Sequence, residues 1–213
     1  MTKPIDVYFS FRSPYSYLAT PELVALPDAY DVQVNLRPVL PLAVRDPEFF
    51  SPDNIKRARY IRLDWKRRAE FLGMPSRWPS PDPIVQDMAT FKIAAEQPYI
   101  HRLTRLGVEA QRQGSGMLFA KEVSHLLFST KGWDQGDLLA EATRRAGLDL
   151  AAMEAAITTG NHDQEIAANQ QALEESQHWG VPTIAFEGEP FFGQDRIDTL
   201  RWRLDQHGLK KSG

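Results

Sequence analysis

With 213 residues, 42% of them hydrophobic, the chain is long enough to fill one or two domains with a sizeable core. A formal net charge of −3 builds no field that would favour nucleic acid or an anionic membrane, so neither is expected as a partner. There is no cysteine, which excludes disulfides, thiolate metal sites and any chemistry by a thiol of the chain's own.

The amino-terminal stretch MTKPIDVYFSFRSPYSYL is interrupted by Asp6, Arg12 and Pro14 and does not read as a secretory signal. No run approaches the ~20 apolar residues that span a bilayer. The expected location is the cytoplasm.

Residues 5–11 are rich in β-branched and aromatic side chains and predict a buried strand. Pro14 suits the first turn of a helix, where its missing N–H had no partner to lose. Ser13 then falls at the N-cap, and the helix is expected to run to Leu26, before Pro27. Residues 32–39, VQVNLRPV, alternate as a second strand. Strand, helix and strand in that order form a βαβ unit, which requires a parallel pair.

From Pro52 to Gln177 nearly every segment has helical spacing. Helices are predicted over 54–72, 86–113, 115–130, 136–146, 149–158 and 161–178, with RWPSPDP (77–83) as a proline-rich loop and Gly147 as a C-cap. The chain returns to β at VPTIAFEGEPFFG (181–193), where two short strands flank a turn at Glu187-Gly188-Glu189. Residues 194–206 predict a last helix with Ile197, Leu200 and Leu204 on one face.

The β-rich ends must pair to complete one sheet, which makes a βαβ–ββα core with an all-helical insertion. With FSFRSPYSYLAT (9–20) near the start and WGVPTIAFEGEPFFGQDRIDTL (179–200) near the end, the chain resembles the thioredoxin superfamily. Within it, the two stretches are similar to the DsbA-like branch, and more narrowly to kappa-class glutathione transferases and 2-hydroxychromene-2-carboxylate isomerases. The resemblance implies an α/β fold: a thioredoxin-like domain from residues 1–45 and 179–213, and a helical insertion domain from residues 46–178.

The redox members carry a Cys-x-x-Cys pair where this chain has Ser13 and Ser16, and serines cannot exchange disulfides. Ser13 reads either as a simple cap or as the group that holds a thiolate brought from outside. A helix amino terminus offers free N–H donors and partial positive charge to such a thiolate. A hydrolase using Ser13 would need a histidine base, and none of the five histidines is tied to it by a motif. Those histidines, at 101, 125, 162, 178 and 207, show no ligand spacing, so no metal is expected.

The resemblance implies glutathione as the thiol, with Ser13 ionising and holding its sulfur. It implies a cis Val181-Pro182 bond facing the helix start, leaving the Val181 N–H and C=O to pair with the tripeptide as an added strand; otherwise Pro182 merely opens an edge strand. Gly193 permits a tight turn. Gln194 and Asp195 either cap the last helix or, as the family implies, bind the γ-glutamyl end, and Arg196 is expected in a structural ion pair.

Seven residues between 56 and 68 are basic, and Arg59, Arg62 and Lys66 share one helix face. They form either a solvated face or, for one or two of them, a cleft wall that attracts carboxylates. Asn54 is a further substrate candidate. Trp78 and Asp82 in the proline-rich loop either wall an aromatic pocket or make an ordinary connection. The implied activity is a glutathione-dependent isomerisation of a small aromatic keto acid by a homodimer, with a kappa-like transferase or a non-catalytic thioredoxin-fold module as alternatives.

Overall fold

The computed structural model describes residues 2–49, 55–87 and 89–212. Strand β1 (Lys3–Phe9) is central and pairs in parallel with β2 (Val32–Pro38), in the register Lys3 with Val32 through Phe9 with Pro38. On its other side β1 pairs antiparallel with β3 (Thr183–Phe186), Val7 opposite Ile184, and β3 continues antiparallel into β4 (Glu189–Phe192). The sheet order is therefore β2-β1-β3-β4, and the two ends of the chain meet inside it. Glu187 and Gly188 close the last hairpin as a two-residue loop with φ of +49° and +85°. Positive φ at both positions defines the type I′ turn, whose twist matches that of the strands.

Helix α1 (Pro14–Ala29) starts where expected, with Pro14 in its first turn and the Ser13 hydroxyl accepting the Ser16 N–H at 3.1 Å. It runs past the expected stop at Pro27. A proline inside a helix orphans a carbonyl four residues back. At Pro21 the loss falls on the Tyr17 carbonyl, which the Thr20 hydroxyl satisfies at 2.8 Å.

The middle of the chain carries a short α2 (Leu42–Arg45), α3 (Ile55–Phe71), α4 (Pro98–Arg112), α5 (Gly116–Ser129), α6 (Leu138–Arg145), α7 (Leu150–Thr159) and α8 (His162–Glu175). Gly147 ends α6 at φ +78°, its N–H bonding the Arg144 carbonyl while the Leu148 N–H bonds that of Thr143. That double bond is the Schellman closure, and it confirms the C-cap. The final segment opens as a 3₁₀ turn (Gln194–Arg196) before α9 (Ile197–Gln206).

One expectation fails clearly. The helix predicted over 86–113 begins only at Pro98. Asp87 Oδ1 accepts the N–H groups of Ala89 and Thr90 and the Thr90 hydroxyl, and the Gln97 side chain grips both peptide groups of Val85. Side-chain bonds of this kind compete with helix formation, and the residue before a proline avoids the helical region. An isolated antiparallel bridge joins Gln86 to Ile93.

Helices α4, α5 and α8 pack against β2, while α1 packs on α5 and α9. One continuous apolar cluster joins Ile5, Val7 and Phe9 of the sheet to Leu103, Phe119 and Leu127 of the helices. Helix α3 stands apart from this pattern, burying only Trp65 and Ala69. Among the described residues no helix is long and apolar enough to cross a membrane.

Candidate active site

The carboxyl end of β1 delivers the chain to Ser13 at the amino terminus of α1. The turn is closed by the Ser13 N–H bonding the Ser10 carbonyl at 3.0 Å. Ser13 uses its hydroxyl twice: it accepts from the Ser16 N–H and donates to the Val181 carbonyl at 3.2 Å. Cap and cross-sheet contact are thus made by one oxygen. Ser16 is buried, and its own hydroxyl has no partner among the described residues.

The loop facing Ser13 is Gly180-Val181-Pro182, and the Val181-Pro182 bond is cis. The Val181 N–H has no hydrogen-bond partner among the described residues. Its carbonyl, expected to be open, is occupied by Ser13. The physical reason is proximity: β1 and β3 are sheet neighbours, so their ends bring hydroxyl and carbonyl together. The Gly193 N–H, from a residue at φ +102°, ties the end of β4 to the Pro182 carbonyl at 2.9 Å.

In front of this junction opens a cavity of about 560 Å³. Ser13, Tyr15 and Val181 lie on one side, the first half of α3 lies across it, and Trp78, Trp179 and Phe192 form aromatic walls. Arg59 and Arg62 line it from α3; Lys66 does not. Among the described residues neither arginine makes an ion pair, and the Arg62 guanidinium lies 5.8 Å from the centre of the Trp78 ring. Two unpaired cations in a largely apolar chamber suit an anion with a flat ring.

Asp82 is not on the cavity surface. It takes Arg12 through both oxygens, at 2.8 and 3.1 Å, and the Trp78 indole N–H at 3.0 Å. Its role is to hold Arg12 and Trp78 in place, with Arg12 5.3 Å from the Trp78 ring centre. Asn54 lies outside the described residues.

Gln194 and Asp195 sit on the turn after β4 and do not line the cavity. Gln194 is buried, and its side-chain carbonyl accepts from Arg68 of α3 at 2.9 Å. Asp195 is exposed and pairs with Arg196 at 3.0 Å, the structural ion pair expected of Arg196.

Several residues of the site were not anticipated. The Tyr15 hydroxyl donates to Asp64 of α3 at 2.8 Å, and Asp64 also accepts from Arg67. Burial, followed by the Asp64 hydrogen bond, pushes the Tyr15 phenol well above its ordinary range, and the same bond is the first cause of a lowered Asp64. Tyr15 is therefore a neutral strut from α1 to the otherwise lightly packed α3. Trp179 and Phe192 were also missed, although an aromatic residue directly before Gly-Val-Pro was a visible signal.

A thioredoxin-like sheet with serine at the head of its first helix and a cis-proline opposite defines the class. The model of the DSBA-like thioredoxin domain matches residues 4–205, and the chain belongs to that family. A 2-hydroxychromene-2-carboxylate isomerase of Pseudomonas putida is 22% identical over 206 residues, covering 92% of this chain and 91% of its own. The isomerase of the same name from Sphingobium xenophagum is 25% identical over 215 residues, covering 94% and 97%. A solved structure of a 2-hydroxychromene-2-carboxylate isomerase superposes with a TM-score of 0.69 at 22% identity, covering 95% of each chain.

Proposed function

We propose that this protein is a glutathione-dependent isomerase of a small aromatic keto acid, of the 2-hydroxychromene-2-carboxylate kind. The observation that carries the reading is the junction itself. Ser13, at the helix terminus, and Val181, whose N–H has no partner among the described residues, line one apolar cavity that Arg59 and Arg62, without an ion pair among the described residues, line from α3. The names of the full-length relatives support it.

The residues present fit glutathione. The unpartnered Val181 N–H is an open donor for an extended peptide backbone, and the α1 terminus favours an anion. When bound, glutathione supplies a sulfur nucleophile for reversible addition to a conjugated keto acid, a route by which a double bond changes geometry with nothing consumed. Ser13 would turn its hydroxyl proton from the Val181 carbonyl to the sulfur and favour its ionised form. Gly193 keeps the adjoining turn close to Pro182. Asp195 lies beyond the cavity lining and would have to give up Arg196 to meet a γ-glutamyl ammonium that extends past Phe192, and Gln194, buried with its carbonyl held by Arg68, would have to turn its amide toward the neighbouring carboxylate. Arg59 and Arg62 would take the substrate carboxylate, and Trp78 its ring. The aromatic walls would hold the two reactants in register.

The test is incubation with glutathione and the chromene acid. Conversion with no loss of free thiol supports the isomerase. Stoichiometric thiol loss makes the protein a kappa-like transferase, and absence of both conversion and glutathione binding defeats the reading.

A further inference from the structure

The loop that faces Ser13 is held from behind. The Gly180 N–H donates to Nδ1 of His178 at 2.9 Å, and the Gly180 carbonyl accepts the Thr183 hydroxyl at 2.8 Å. The imidazole stacks 3.9 Å from the Phe192 ring and 5.0 Å from the Trp179 ring, the two aromatic walls of the cavity on that side. A side chain at position 180 would push the Phe192 ring out of place, since a Cβ would lie 2.8 Å from its Cζ. His178 thus holds the Trp179–Gly180 peptide, one peptide ahead of the Gly180–Val181 unit, and is clamped by the rings a ligand would touch.

An imidazole that accepts at Nδ1 carries its single proton on Nε2. A second proton, at Nδ1, would point at the Gly180 N–H and replace a hydrogen bond with repulsion between two donors. We propose that His178 is a positioning residue for the thiol site: its uncharged ring holds the Gly180 N–H and sets the Val181 backbone, and its protonation releases both. The ligand named here rests on the glutathione reading above; the hold on the loop does not.

Among the described residues no charged side chain bonds the ring. On α2, Arg45 donates to the Trp179 carbonyl and is balanced by Glu174 at the end of α8 and by Asp46. Glu48 lies on the 47–49 turn whose Phe49 packs on Trp179, and past Phe192 Asp195 and Arg196 pair with each other. Among the described residues none of these bonds the imidazole. Burial lowers the His178 pKa from 6.5. A lowered histidine stabilises its bonded form above pH 6.5 and loses it as pH falls through the lower folded value.

The experiment has two arms. In the ligand-free protein, the Gly180 amide and the His178 ring are followed by NMR as pH falls; calorimetry with glutathione is run over the same range. The amide should move with the imidazole, and the wild-type dissociation constant should rise by up to about tenfold per pH unit below the folded pKa. His178→Asn offers an oxygen in place of Nδ1 that does not titrate, so both amide and affinity should stay level. His178→Phe keeps the stack without an acceptor and should bind glutathione weakly at every pH. A Gly180 amide indifferent to the imidazole overturns the proposal, as does level wild-type affinity while the amide moves. If no glutathione binds at any pH but the amide follows the ring, and stays still in His178→Asn, the hold on the loop stands and the thiol reading falls.

Discussion

The Ser13 hydroxyl donates to the Val181 carbonyl across 3.2 Å, and it simultaneously caps α1 by accepting the Ser16 N–H. One oxygen therefore couples the helix start to the cis-proline loop. A ligand sulfur placed there competes for the hydroxyl proton without disturbing the cap, since capping uses the lone pairs and donation uses the hydrogen.

Ser13→Ala removes both functions. We expect about 1 kcal/mol of lost stability from the cap, or about 2–4 °C in Tm for a chain of this size. Turnover should fall by about a hundredfold, as when one donor to a developing or stabilised anion is deleted. Thermal unfolding and steady-state rates, measured on the same preparation, separate the two effects. A Tm drop with unchanged turnover would reduce Ser13 to a cap.

Arg59→Gln and Arg62→Gln remove cations from the cavity without touching the Ser13 junction. Each should raise KM for an anionic aromatic substrate by about tenfold, the worth of one charge-assisted bond. Glutathione affinity should hold. Equal losses in both ligands would show that the arginines serve the tripeptide.

Asp82→Ala strips Arg12 and Trp78 of their common anchor. The pair is only 15% and 25% exposed, so an unpaired guanidinium is left poorly solvated. A loss of about 2 kcal/mol is expected in urea unfolding, with Asp82→Asn losing less because one acceptor remains.

Tyr15→Phe deletes the first cause of the lowered Asp64 pKa. A lowered carboxylate stabilises the fold above its ordinary value of 3.8, and that contribution disappears as pH falls through the lower folded value. The variant should therefore begin to lose α3 at a higher pH during acid titration. At the alkaline end the sign reverses. The raised Tyr15 keeps its proton in the folded state, so wild-type stability declines above pH 10. That decline should be shallower in the variant. Circular dichroism against pH reads both limbs.

What the order of residues decided by itself is local. Pro14 after a serine sets a helix start, Glu187-Gly188 sets a hairpin turn, Gly147 sets a helix end, and absent cysteines close the redox route. These features depend on backbone freedom and chemistry within a few residues, so a linear reading reaches them. The stretch before Pro98 shows the limit. Its helical periodicity was overridden by Asp87 and Gln97, whose side chains bind backbone that the pattern had assigned to a helix. The site's partners were hidden for a second reason. Tyr15 meets Asp64, Arg12 meets Asp82 and Gln194 meets Arg68 across 49, 70 and 126 residues of chain. Only packing the two ends into one sheet, with α3 laid over them, decides that of the three arginines lining the cavity Arg12 is paired with Asp82 while Arg59 and Arg62 have no ion pair among the described residues.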